Sequence, residues 1–411
     1  MDNIAGPPVD GNNFFAREDD VERIKAMLVE HDLLLLGPRR IGKTSACRAV
    51  LAAVEKEGWR TAEINVASCL DERGFLEKLE TTLREAISSL PGKIYEAIKA
   101  PLAAVGARVK SVKIALPGEA GSIGVDLGEG GGQDWSKAAN DILRLVTKAQ
   151  EPWLIYVDEL PIFLYTVIRN DKAHGVARVR RFLDWFRNDV RQLPDCRNVR
   201  WLISGSIGLD TLVQQHHMAD TINSLPPDTL PPFTRPVAQA MLRALAGAYA
   251  VPLTDDHIDK FLDAIQWLQP YYIQVCFNEL RKLCPAGGAA DLDALIDQAV
   301  QRMTEPGADN DFHHWEKRLE WQLPADKMRQ AKRLLTRAAA KREGARSQVL
   351  LSLVHESGPE MSQEEALDLF RSIRDILQRD GYWTLAERPD GNYYHFLLEP
   401  LRRWWQRQFT V

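Results

Sequence analysis

Eight residues, Gly37-Pro38-Arg39-Arg40-Ile41-Gly42-Lys43-Thr44, constrain this chain more than any other stretch. They satisfy G-x-x-x-x-G-K-[ST] at every fixed position, and Ser45 follows. Before them stands the run Leu33–Leu36, short and aliphatic, as expected of a parallel strand buried on both faces. After them, apolar spacing predicts a helix from Lys43 to about Lys56. Strand, glycine-bracketed turn and helix in that order make a cradle for phosphate. The glycines let the backbone turn tightly so that its N–H groups converge, and the helix N-terminus adds partial positive charge. Lys43 then reaches the β- and γ-phosphates, and the Thr44 hydroxyl is a ligand for Mg²⁺. Residues 37–45 are therefore candidate contacts for a nucleotide such as ATP.

A second apolar strand, Trp153-Leu154-Ile155-Tyr156-Val157, ends in the adjacent carboxylates Asp158 and Glu159. A carboxylate at that strand end can hold Mg²⁺, the role expected of Asp158. The next one, Glu159, can accept a proton from an attacking water. A third strand, Arg200-Trp201-Leu202-Ile203, runs into Ser204-Gly205-Ser206. Ser204 and Ser206 are candidates for touching the γ-phosphate or the attacking water.

The 411 residues carry a net charge of -5 and are 45% hydrophobic, a globular composition of two to four domains that is not uniformly basic. Five scattered cysteines without a CxxC pair point to no disulfide framework and no zinc site. The N-terminus shows neither a basic nor an apolar leader segment. The longest purely aliphatic run, Ala49–Val54, is far short of the ~20 residues that span a bilayer. A cytoplasmic setting without membrane contact is expected.

Strand–helix alternation continues to residue 206, which argues for a parallel α/β sheet. A β-hairpin is predicted over 110–130 as an insertion. The helix from about 174 to 193 is basic, and its arginines form a solvated or protein-contacting face. Arg178, Arg180 and Arg181 are the alternative, as charges offered to a neighbouring subunit. After Pro226-Pro227 and Pro231-Pro232 only helical periodicity is seen. The expected organisation is a lead-in at 1–16, an α/β domain at 17–234, a helical lid at 235–305, a charged helical connector at 306–346 and a final domain at 347–411. The last segment reads helix, helix, strand, turn, strand, helix, with the turn at Pro389-Asp390-Gly391.

Five segments carry a family resemblance: Phe15-Ala16-Arg17-Glu18, the loop at 37–45, Tyr156–Leu160, Ile203–Ser206 and Gln269–Gln274. Together they resemble the archaeal-type P-loop ATPases of the STAND and AAA+ neighbourhood. The resemblance implies a P-loop sheet with a strand between loop strand and acidic strand, a helical lid and a C-terminal winged helix. It also implies Phe15 and Arg17 near the adenine, and Pro270 as the lid's contact with the nucleotide. A nucleotide-dependent conformational switch with ATP hydrolysis is the leading expectation. The alternatives are an ATP-gated DNA-binding regulator resembling origin-recognition ATPases, and a non-hydrolysing assembly scaffold. For DNA, the basic residues Lys332, Arg333, Arg337, Lys341, Arg342 and Arg346 could neutralise phosphates. Arg371, Arg374 and Arg379 join them on the helix at about 362–378. That helix also carries Glu364, Glu365, Asp368 and Asp375, which repel a phosphate backbone.

Overall fold

A computed structural model describes residues 1–88, 133–147, 151–190, 198–205, 208–284, 291–307, 312–358 and 360–409. The hairpin expected at 110–130 and the candidate Ser206 lie outside the described residues. The chain divides into two compact units, one of residues 17–36 and 43–230, the other of residues 1–16, 37–42 and 231–411.

The first unit is built on five parallel strands. They are β1 (Leu33–Leu36), β2 (Arg60–Asn65), β3 (Trp153–Asp158), β4 (Val199–Ser204) and β5 (Pro227–Thr229), in the spatial order β2-β3-β4-β1-β5. The strand that feeds the loop and the strand that ends in Asp158 are thus separated by β4, the arrangement the resemblance implies. Strand β3 is buried along its whole length, as a run covered on both faces requires.

Around the sheet lie α1 (Glu18–Glu30), α2 (Lys43–Lys56), α3 (Glu72–Ser88), α4 (Gln133–Thr147), α5 (Leu160–Asn170), α6 (Gly175–Trp185) and α7 (Leu209–Gln215). Helix α1 buries Val21, Ile24 and Leu28, with Met27 half-buried beside them on the apolar stripe. Each such side chain contributes about 1.5–3 kcal/mol when fully buried. In the core of this unit Phe75, Phe163, Phe182, Trp135 and Trp185 form an aromatic cluster, with Phe75 and Phe182 edge to face at 4.9 Å.

The second unit is mostly helical. It holds α8 (Arg235–Ala248), α9 (Asp255–Ile265), α10 (Pro270–Leu283), α11 (Leu292–Arg302), α12 (Phe312–Gln322) and α13 (Ala325–Ala339). The segment expected as a helical connector, 306–346, forms α12, α13 and a two-residue strand, Ala345–Arg346. Its residues Phe312, Trp315, Leu319, Leu334 and Leu335 lie in the same core as Phe261, Phe277 and Trp405.

Then come β6 (Ala345–Arg346), α14 (Ser347–Glu356), α15 (Gln363–Arg379), β7 (Trp383–Arg388), β8 (Gly391–Phe396) and α16 (Glu399–Phe409). Two helices followed by a hairpin, with β6 completing a three-stranded antiparallel sheet, form the winged helix. Ser362 and Glu365 cap α15 reciprocally. Pro389 and Asp390 turn the hairpin, since Arg388 pairs with Gly391. Among the described residues no helix is long and apolar enough to cross a membrane.

Candidate functional site

In an open parallel sheet the side chains that meet a ligand come from the C-terminal strand ends. Three of those ends carry the candidates. The loop follows β1, Asp158 closes β3 and Ser204 closes β4.

The loop backbone is shaped by Gly37 at φ 142° and Gly42 at φ 99°, conformations that a residue with a Cβ adopts only under strain. Between them Arg40 sits at φ 70° although it is not glycine. Ile41 is fully buried, which anchors the loop. Lys43 and Ser45, in the first turn of α2, are buried, while Pro38, Arg39 and Thr44 are half-buried.

The Thr44 hydroxyl donates to Asp158 Oδ2 at 3.2 Å. The other carboxylate oxygen, Oδ1, accepts from the Ser204 hydroxyl at 2.7 Å and from the Glu159 backbone N–H at 3.1 Å. Ser204 Oγ also lies 2.9 Å from the Tyr156 hydroxyl. Serine has one proton and gives it to the carboxylate, so Tyr156 donates to Ser204. Burial pushes the Tyr156 phenol well above its ordinary value, so it remains a donor at neutral pH.

This chain of contacts follows from strand geometry. Tyr156 and Asp158 are two residues apart on β3 and so share a face. The β3–β4 register pairs Val157 with Ile203, which brings Ser204 beside Asp158. Ser204 is wholly buried, with its proton committed to Asp158. The expectation that it touches phosphate or water is corrected by that burial. The side chain instead orients a carboxylate.

Glu159 follows at φ 61°, left-handed and not glycine, at the N-cap of α5. Backbone strain of this kind persists only where surrounding structure over-determines it, and it gathers at functional sites.

Phe15 packs edge to face on Phe233, with ring centroids 6.5 Å apart. Arg17 is buried at the N-cap of α1 and pairs with Asp20 at 2.8 Å. Burial lowers its pKa, against the Asp20 contacts that raise it. Pro270 occupies the first position of α10, where its missing N–H costs nothing.

Of the alternative charges for a neighbouring subunit, Arg178 is bound to Glu72 and Asp171. Arg180 pairs with Asp184 and Asp220. Arg181 is exposed on the same helix.

Tyr156 has no place among the sequence candidates. It is hidden in a continuous apolar run, yet its two-residue offset from Asp158 is a readable signal. The donor set Thr44 plus Asp158 is all oxygen, one hydroxyl and one carboxylate already in contact, which fits Mg²⁺. Two protein ligands suit an ion that keeps several waters and also meets substrate phosphates. Among the described residues no group of three or more His, Cys, Asp or Glu could hold a different metal.

A glycine-bracketed loop on β1, an acidic β3, β4 between them and a C-terminal winged helix define a P-loop NTPase fold. Solved structures share it over nearly the whole chain. A Walker-type ATPase of Pyrococcus abyssi aligns over 98% of this chain and 99% of its own, with TM-score 0.59 and 15% identity. The ORC2 protein of Aeropyrum pernix, in its ADPNP–ADP complexes, aligns over 98% of each chain, with TM-score 0.55 and 13% identity. At these identities the likeness is one of fold. No protein-family profile and no curated protein matches the sequence.

Proposed function

We propose that the protein binds Mg²⁺-ATP on the loop 37–45 and hydrolyses it slowly, as a nucleotide-dependent switch. The observation that carries this reading is the Thr44–Asp158 hydrogen bond, with Glu159 next in the chain in a strained conformation. The fold shared with a Walker-type ATPase and with a protein solved with ADPNP and ADP supports it.

Loop N–H groups and Lys43 hold the phosphates. Thr44 and Asp158 hold Mg²⁺, which when bound neutralises developing phosphate charge. Ser204, backed by Tyr156, fixes the Asp158 carboxylate. Glu159 takes a proton from water as the water oxygen bonds to the γ-phosphorus. The bond to the β–γ bridging oxygen breaks and ADP leaves. Phe15, Arg17 and Pro270 are assigned to the nucleotide's base and sugar end, and Ser206 to the γ-phosphate end. In the domain reading proposed here, 17–234 does this chemistry, 235–305 is the lid, 306–346 the connector and 347–411 the winged-helix output. We place the protein in the cytoplasm.

The test is phosphate release by purified protein with Mg²⁺-ATP. Glu159→Gln is expected to lower turnover about 10²–10⁴-fold while nucleotide still binds. Equal rates in variant and wild type overturn the assignment of Glu159.

A second reading, an ATP-gated DNA-binding regulator, is favoured by one feature. Arg329, Arg333 and Arg337 are exposed at four-residue intervals along α13, about 6 Å apart in rise. Such a ridge can follow a phosphate backbone, and binding through it weakens steeply with salt. No mobility shift on duplex DNA at low salt, with or without ATP, removes this reading. A protein partner, or self-association, is the remaining partner class. If nucleotide stays bound without turnover, the protein acts as an assembly scaffold.

A further inference from the structure

Arg40 lies inside the phosphate loop, yet its guanidinium is held by other parts of the helical unit. It stacks over the Tyr271 ring at 4.4 Å, on the first turn of α10. Its Nη1 donates to the Gly6 carbonyl in the N-terminal segment at 3.4 Å. The backbone at Arg40 is left-handed although the residue is not glycine. The same segment is tied to the lid helices independently. Asn3 donates from its backbone to the Tyr249 hydroxyl at 3.0 Å and from Nδ2 to the Gln274 carbonyl at 3.2 Å. Phe15 on Phe233 closes its far end.

Tyr271 is in turn the first member of an aromatic series. Tyr271 meets Tyr272 edge to face at 5.0 Å, and the Tyr272 hydroxyl accepts from Trp315 Nε1 at 2.8 Å. Trp315 packs on Tyr382 at 5.0 Å, and Tyr382 donates to the Trp315 carbonyl at 2.5 Å. Tyr382 opens the winged-helix hairpin. These rings are buried and close-packed, and such interiors transmit displacement rather than absorb it.

We propose that Arg40 is a positioning residue that couples nucleotide on the phosphate loop to the N-terminal segment 1–16 and, through Tyr271, to the winged helix. A phosphate-binding loop changes its backbone and charge balance when a polyanion arrives. Within that loop, the Arg40 side chain reaches both Gly6 and Tyr271. The planar guanidinium suits this task, because it stacks on a ring with one face while donating from its edge.

The inference rests on the nucleotide reading above, and its test separates the two. Hydrogen exchange of the full chain is followed at residues 1–16 and around Tyr382, without nucleotide and at saturating Mg²⁺-ADP. Saturation is verified by calorimetry for every variant. In wild type, nucleotide is expected to change exchange in both regions by about threefold or more. Tyr271→Leu and Arg40→Gly, compared at saturation, are expected to lose that response, and Tyr271→Phe to keep it, because only the ring face is used. If Tyr271→Leu and Arg40→Gly respond as wild type does, the coupling role is overturned while the nucleotide site stands. A wild type that binds nucleotide without any response in 1–16 and Tyr382 overturns it likewise. A wild type that binds no Mg²⁺-ADP in calorimetry overturns both readings together.

Discussion

Ser204 has one proton and two polar neighbours, and that count predicts how its loss is felt. Ser204→Ala strips Asp158 of a donor and takes from the buried Tyr156 hydroxyl its contact with Ser204, leaving it beside Asp158 and Cys47. Removing a partner from buried polar groups costs about 1–3 kcal/mol. Tyr156→Phe removes a hydroxyl that backs Ser204 but leaves Ser204 bonded to Asp158, so about 0.5–1.5 kcal/mol is expected. Urea unfolding should rank the two variants in that order. Ser204→Ala should also raise the Mg²⁺ concentration needed for half-maximal turnover more than Tyr156→Phe does, since it removes the donor 2.7 Å from the carboxylate. The reverse ranking would show that Ser204 is not the link between Tyr156 and Asp158.

His314 offers a pH test at the same scale. Burial first, then the charges of Arg39, Arg40 and Lys317, push its pKa down to about 4. The unfolded chain keeps the ordinary value of about 6.5. The folded value is the lower one, so the stability it contributes is complete above about pH 6.5 and is lost as pH falls towards 4. His216 is depressed too, by burial and by His217, and adds its own slope in the same direction. The urea midpoint of wild type should therefore fall more between about pH 7 and pH 5 than that of His314→Gln, the His216 share being common to both. Equal falls would remove His314 from the account.

Among the elements, the strands that carry the site were legible and the last strand was not. Leu33–Leu36 and Trp153–Asp158 announce themselves as apolar runs. Strand β5 is three residues beginning with Pro227, which has no N–H to give a ladder. It is tolerated because β5 is the sheet edge, with β1 on one side only. Likewise α12 and α13 read as a connector because charge outweighs the buried residues at helical spacing. Leu334, Leu335, Ala338 and Ala339 are fully buried, but their neighbours are lysines and arginines. The Asp158–Ser204–Tyr156 chain depends on strand register, which no single segment reveals. Ion pairing between α3 and α6 is invisible in sequence for the same reason. Arg178 binds Glu72 on α3 and Asp171 just before α6, all three largely buried. Arg178→Ala leaves two buried carboxylates without it, and about 3–5 kcal/mol of stability should be lost. Burial alone would raise the Asp171 pKa, but the His174 N–H and Arg178 outweigh it and hold the carboxyl below its ordinary value. A depressed carboxyl contributes stability above its unfolded pKa of about 3.9 and loses it as pH falls further. Wild type should thus show an acid-labile increment below about pH 4 that Arg178→Ala largely lacks, measured by unfolding at graded pH.

At the scale of the whole molecule, the net charge of -5 says little about partners, because basic residues are gathered on α13 and in front of α14. More telling is how helices α8–α11 and the winged helix come to share one core. Trp267, between α9 and α10, meets the chain at Gly381, where α15 gives way to β7. Gly381 has φ 80°, and a Cβ there would lie 2.2 Å from the Trp267 ring. An alanine must therefore adopt a left-handed backbone and displace a packed indole at once. The first costs about 1–2 kcal/mol and the second about 1–3 kcal/mol. Trp267 also packs on Trp315 at 6.3 Å, so the displacement runs into the aromatic series that ends at Tyr382. Gly381→Ala is expected to lower the unfolding free energy by about 2–5 kcal/mol. The greatest gain in hydrogen exchange should fall on α10, α12 and β7, with strands β2 and β3 unchanged. If exchange rises in those strands as much as in α12, Gly381 is not a local joint between the α9–α10 turn and the winged helix. If stability is unaltered, the close approach of Trp267 to Gly381 does not hold the two together.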